Sequence, residues 1–277
     1  MNILEEETKK EEQNTKNYIA ESFKTTLVAN GQSLETNSKN VLLFRISHRF
    51  GKINSGLYDL FGMDNAQIKF AFDYGLNDWL QIGVSRSSFE KLYEGNIKAR
   101  ILRQQTGKRN IPISIIYFTS MSINTLRWQD PLRDNKTTSR ISYVHQLIIG
   151  RKFNESFTFQ ITPSLVHRNL VPTKNDANDV FAMGAGFRQK ITKRISINAE
   201  YFHRFDNYNT SALFNPITLG FDIETGGHVF QLVFTNAKSM VEKGFIAETT
   251  GNIGKGDIYF GFNLARVFDF GTRVKKP

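Results

Sequence analysis

Charged residues recur at a spacing of two inside short apolar stretches of this 277-residue chain. Arg45 and Arg49 flank Ser47, Lys69 precedes Asp73, and Lys98 precedes Arg100 in stretches that otherwise alternate with Leu, Ile and Phe. Arg140, Arg168, Arg188, Glu200, Asp222 and Glu224 repeat the pattern further along. In extended chain this spacing places them on one face, opposite the apolar one. If the strands close on themselves, that face is an interior. Two chemistries are then open. Paired charges could fill the interior as an ion-pair ladder, since paired charges lose less on desolvation than isolated ones. Alternatively they could line a water-filled path whose basic bias favours anionic solutes.

Other chemistry has little support in the sequence. His48, His145, His167, His203 and His228 are scattered without HxH or HExxH spacing, so neither a metal site nor a metal cofactor is expected. The absence of cysteine removes disulfides, thiolate ligands and thiol nucleophiles. No GxSxG motif accompanies the histidines, and a lipase on the outer wall is a distant third to the non-enzymatic readings. "GNIGKG" (251–256) lacks the Lys-Ser/Thr ending of a phosphate loop and precedes a strand, so it reads as a loop. No organic cofactor is expected. Lys and Arg are dispersed rather than gathered on a helix, so the net charge of +10 does not indicate nucleic-acid binding.

The elements that would position the charges are strands. From residue 41 onward twelve stretches alternate apolar with polar or small residues, from "VLLFRISHRF" (41–50) to "DIYFGFNLARVFDF" (257–270). In the last, Ile258, Phe260, Phe262, Leu264 and Phe268 share one face, with Gly261, Asn263 and Ala265 on the other. "NIPISIIYFTS" (110–120) is less regular, and its Pro112 suits a strand start or bulge. Short connections such as "GLND", "TKR" and "TGG" alternate with long ones such as "NTLRWQDPLRDNKT" and "AKSMVEKGFIAETTGNIGKG". Loop length sorted by parity is the mark of a transmembrane antiparallel β-barrel of about twelve strands, with both chain ends on the short-turn side. No run of apolar residues is long enough for a membrane helix.

The first forty residues differ from the rest. They hold five Lys and seven Glu, a net of −2, and are expected to form a polar extension, helical or disordered. The expected organisation is therefore an extension over 1–40, a barrel over 41–270 and a basic tail over 271–277.

Four stretches, "VLLFRISHRFG", "DYGLNDWLQIGVSRSSFEK", "LGFDIETGGHVFQLVFTNA" and "FIAETTGNIGKGDIYFGFNLARVF", together resemble the DUF5777 family of β-barrel proteins from Bacteroidota. The resemblance spans about residues 22 to 268. It implies placement in the outer membrane, with periplasmic termini and an export signal that this sequence does not contain. It implies no assigned activity. The expected function is a porin-like narrow channel or transporter for small, anion-biased solutes. The alternative is a non-conducting barrel that anchors or scaffolds a complex. Expected partners are outer-membrane lipid and lipopolysaccharide, the latter touching Lys52, Lys91, Arg127, Arg133 and Lys174 at the rim. Periplasmic or outer-membrane proteins could bind through residues 1–40 and the long loops.

Overall fold

The computed structural model describes residues 15–128, 130–205 and 213–271. Twelve strands form one closed antiparallel barrel. In chain order they are β1 (Val41–Lys52), β2 (Ala66–Asn77), β3 (Leu80–Ser87), β4 (Leu92–Leu102), β5 (Ser114–Asn124) and β6 (Ile141–Lys152). The second half holds β7 (Phe157–Arg168), β8 (Asp179–Lys190), β9 (Ile195–Arg204), β10 (Ile217–Thr225), β11 (His228–Thr235) and β12 (Tyr259–Asp269). Each strand pairs with its sequence neighbours, and β12 closes the wall on β1, with Asp269 opposite Val41 and Phe262 opposite His48. Closure leaves no unpaired edge, the condition for a sheet to sit in lipid.

The wall is apolar outside and polar within. Phe70, Phe72, Val84, Ile97, Met121 and Phe181 are exposed on the outer face, while Lys69, Asp73, Gln81, Ser85, Glu94 and Lys98 are buried on the inner one. Outer aromatics stack across strands, as Phe44 does on Phe72 at 4.9 Å and Phe230 on Phe262 at 5.5 Å. The Phe-rich face of β12 belongs to this outer belt, and Gly261, Asn263 and Ala265 point inward and are buried. A soluble sheet has the reverse sidedness; this one has its oil outside.

The connections follow the expected parity with two exceptions. The β3–β4 connection at the long-loop end is only residues 88–91, because both strands extend into "RSSFEKLY". The β4–β5 turn at the short-turn end is longer, and its Gln105–Gly107 pairs with Lys16–Tyr18 as a two-stranded ribbon.

Two segments depart from expectation more deeply. Residues 22–37, expected in an extension outside the barrel, lie mostly buried inside it. Residues 1–14 of that extension and residues 272–277 of the basic tail lie outside the described residues. The β11–β12 connection, expected as an outer loop, folds inward over 236–249 and forms a short helix α1 (Glu242–Ala247) whose residues are all buried. Each segment enters and leaves by one end. Ile19 N–H donates to Gln104 O and Asn40 N–H to Gly75 O, both at the short-turn end. The second segment runs from Thr235 back to Tyr259 at the long-loop end.

Candidate functional site

The interior charges converge on the two inserted segments. Residues 26–33 form a hairpin in which Ser33 N–H donates to Thr26 O (3.0 Å) and Val28 N–H to Gly31 O (2.8 Å). Its tip is Ala29-Asn30, the two residues between Val28 and Gly31. An irregular chain away from water must have its main-chain groups satisfied, and the wall supplies the partners. Lys98 Nζ donates to Thr26 O (3.0 Å), Gln231 Nε2 to Val28 O (2.7 Å) and Asn263 Nδ2 to Ala29 O (2.8 Å). Gln160 Nε2 reaches Gln32 O at 2.8 Å. Glu200 Oε1 accepts from the N–H groups of Asn30 (2.8 Å) and Gly31 (3.0 Å), while Arg49 donates to Asn30 Oδ1 (3.1 Å). Arg45 donates to Thr26 Oγ1 (2.8 Å) and pairs with Asp73 (3.2 Å).

The other side of the hairpin is apolar. Phe23, Val28 and Leu34 pack on Ile116, Phe118 and Ile148, which point inward from β5 and β6. Inward-facing glycines make room: a Cβ placed on Gly150 would lie 2.7 Å from Leu34 Cδ1, and one on Gly220 only 3.0 Å from Ala29 Cβ. The small residues of the inner face therefore seat a second layer of chain.

The segment from the long-loop end is held in the same two ways. Phe245, Ile246 and Ala247 of α1 join Val144, Val166, Val180, Ala182 and Phe202 in a buried cluster, with Phe245 and Phe202 edge to face at 5.4 Å. Lys69 pairs with Glu94 (2.9 Å) and donates to Met240 O (3.0 Å). Arg168 pairs with Glu248 (3.3 Å), and Lys243 with Glu248 (2.6 Å) and Glu90 (3.1 Å). The two segments touch each other: Gln32 Nε2 donates to Glu242 Oε1 at 2.7 Å, and Asn30 Nδ2 to Ser239 O at 3.2 Å.

Most of the other sequence-selected charges sit near the short-turn end. Arg188 donates to the carbonyls of Glu21 (3.2 Å) and Ser22 (3.3 Å). Asp222 accepts from Ser196 Oγ (3.1 Å) and Gln231 Nε2 (2.7 Å). Glu224 pairs with Lys24 at 2.6 Å. Arg100 lies at the rim, half-buried, with its guanidinium 3.5 Å from Asp78 O. Arg140 is a correction. It precedes β6 in a single turn, donates to Asn124 O and Leu126 O, and stacks on Trp128 at 3.5 Å, so it ties down the β5–β6 loop instead of lining the interior. Sequence reasoning missed Glu94, which continues the Asn96–Lys98 alternation, and also Glu242, Gln231 and Asn263. On the outer wall, His48 stacks on Phe262 at 5.3 Å and His145 meets Tyr117 Oη at 2.8 Å. Among the described residues no group of His, Asp and Glu could hold a metal ion.

Glu242 makes the junction sensitive to pH. Burial, and then the nearby Glu94 carboxylate, push its carboxyl up to about 7, against the pull of Lys69 and the Gln32 hydrogen bond. In water the group titrates near 4.5. The docked segment therefore prefers the protonated acid. Its stabilisation is fully present below about 4.5 and is lost as pH rises through about 7, a span worth roughly 3 kcal/mol. Hydrogen exchange of residues 240–247 is expected to quicken between pH 6 and pH 8 beyond the intrinsic rate increase (pH values bracketing about 7). Glu242→Gln should flatten that excess, and an unchanged excess in the variant would refute the assignment.

Fold and site together define a membrane-type antiparallel barrel whose interior is stoppered by its own chain from both ends. The family model described as a membrane bound beta barrel domain (DUF5777) matches residues 23–268, and the chain belongs to that family. The match begins at Phe23, so it takes in the inserted hairpin. No curated protein matches the chain. Among solved structures, the KdgM porin is 8% identical, with 83% of this chain and 99% of that one covered and a TM-score of 0.46. The COG4313 outer membrane channel from Pseudomonas putida F1 is 11% identical over 84% and 97% of the two chains, at a TM-score of 0.46. The Acinetobacter baumannii outer membrane protein Omp33 is 8% identical over 84% and 100%, at 0.44. At such distances no residue and no activity is carried across.

Proposed function

We propose that the protein is a gated, porin-like conduit for small solutes in the bacterial outer membrane, with periplasmic termini, and that the two inserted segments are its gates. The observation that carries this reading is the way the hairpin of residues 26–33 is held on one side. Lys98, Gln160, Gln231 and Asn263 bond its main-chain carbonyls, and Glu200 its N–H groups. Water can replace main-chain hydrogen bonds at small net cost. Withdrawal of the hairpin would leave Arg45, Arg49 and Lys98 facing the vacated space against Asp73 and Glu200, a small cationic excess that motivates an anion bias. Twelve strands also enclose more space than wall side chains alone need to fill. Rim cations such as Lys91 and Lys174 suit lipopolysaccharide phosphates on the outer side.

The apolar half of the interior supports the second reading, a permanently shut barrel that anchors or scaffolds partners. Phe118, Val144, Val166 and Phe202 would be poor linings for a water path. A disulfide separates the two. The chain has no cysteine, so Ala29→Cys with Gly220→Cys introduces a single pair, whose Cβ atoms start near 3.0 Å and must part slightly to reach the roughly 3.5–4.5 Å of a disulfide. Conductance steps are expected in planar bilayers from the reduced variant, and more often from one that also carries Glu200→Ala. Oxidation should silence both. Silence of the reduced forms of demonstrably folded barrels would leave the shut barrel as the answer.

A further inference from the structure

We propose that a basic groove on the rim, between the β2–β3 and β4–β5 turns, binds a phosphate-bearing anion and is built for the headgroup of a lipid in the adjoining leaflet. The groove has a volume of about 690 Å³. Lys16, Arg100, Arg103, Lys108 and Arg109 line it, and Asp78 is its one carboxylate.

The fold brings these cations together at some cost. Pairing of Lys16 with Gly107 and of Asn17 with Thr106 sets the Lys16 strand beside the turn that carries Lys108 and Arg109. Lys108 N–H donates to Thr15 O, which fixes the turn against the incoming chain. Among the described residues, Lys16, Arg103, Lys108 and Arg109 form no salt bridge, although ten other pairs are present in the structure. The Asp78 carboxylate instead accepts from Lys39 N–H at 3.1 Å. Arg103 rests on the Tyr18 ring at 4.6 Å, which orients its guanidinium without neutralising it. Like charges crowded around one concavity repel unless an anion sits among them, and they focus a positive potential there. Guanidinium groups match phosphate oxygens in pairs, a geometry a bulk ion does not require.

The apolar side of the groove distinguishes lipid from a soluble anion. Trp79, in the β2–β3 turn, and Ile101, near the end of β4, line it and are 55% and 57% exposed. They stand at the strand ends, where aromatic side chains meet the bilayer interface. A phosphate bound by the cations would project its apolar remainder over Ile101 and down the outer wall.

The test compares the full-length refolded barrel with a triple variant, Arg103→Gln, Lys108→Gln and Arg109→Gln. None of these residues lies in the interior, and intact folding is checked by the heat-dependent shift of the barrel in gels. Binding of phosphatidylglycerol and of phosphatidylcholine is read by native mass spectrometry from detergent, with and without inorganic phosphate as competitor. Retention of phosphatidylglycerol over phosphatidylcholine, with a loss of about a hundredfold in the triple variant, is the expected result for three interfacial cations. Displacement by inorganic phosphate with no preference between the lipids would assign the groove to a soluble phosphate compound. Equal retention by wild type and variant would overturn the site.

Discussion

Phe245→Ala is expected to release the inserted β11–β12 segment while leaving the barrel closed. Phe245 is 1% exposed and packs edge to face on Phe202 inside a cluster fed by four wall strands and by α1. Truncating a buried phenylalanine costs about 3–5 kcal/mol through lost burial and the cavity left behind. The strands keep their hydrogen bonds, so the cost falls on docking of the segment. A shift of that size raises the undocked population by roughly a hundredfold to a few thousandfold. Trypsin reports it, because Lys243 is buried against Glu90 and Glu248 when the segment is docked. Where opening and reclosing are fast relative to cleavage, the cutting rate follows the open population. Cleavage after Lys243 should accelerate by about that factor, with the gel mobility of the folded barrel unchanged. A rate equal to wild type would show that the apolar cluster does not hold this segment. Polar docking by Arg168 and Lys69 would then carry it.

The second large effect belongs to Glu200. Its carboxylate accepts the N–H groups of Asn30 and Gly31, and Arg49 of β1 holds the Asn30 side chain. Glu200→Ala strands two main-chain donors away from water, and it removes a counter-charge from an arginine that is 0% exposed. Each unsatisfied group costs about 1–3 kcal/mol. The hairpin tip is therefore expected to lose hydrogen-exchange protection at residues 28–33 by at least about a hundredfold, a shift of roughly 3 kcal/mol. Glu200→Gln keeps an acceptor and gives up the charge, so it should fall between the two. Protection unchanged in the alanine variant would mean that the apolar contacts of Val28 and Leu34 suffice to seat the hairpin.

The wall was readable because its alternation has period two and its turns carry Gly, Asn and Asp. The hairpin was harder to see. A segment that offers mainly its main chain to polar walls can be made of Thr, Ala, Asn, Gly and Ser, the composition of a surface loop. Its signal was the small and polar Ala29-Asn30-Gly31 between Leu27-Val28 and Leu34. A second signal lay in β5 and β6, whose inner positions Ile116, Phe118, Val144 and Ile148 are as apolar as the outer ones. Strands apolar on both faces are buried on both, and in a barrel that means something packs inside. Arg140 was misplaced because it has the parity of Ser142 but precedes the strand, where parity has no meaning. The basic groove gave no sequence signal beyond "RQQTGKR", since Lys16 reaches it only through the ribbon.

Because each inserted segment goes in and comes out by the same mouth, no chain among the described residues passes through the cylinder from one side to the other. The filled barrel is unthreaded, like a tube stopped with two corks, and β12 can zip onto β1 around an empty bore before either cork is seated. Assembly then has a natural order: wall first, stoppers second, with the stoppers arriving from opposite faces of the membrane. On the gated reading proposed above, each cork is drawn out and reseated with the seam still zipped, and the wall never unfolds.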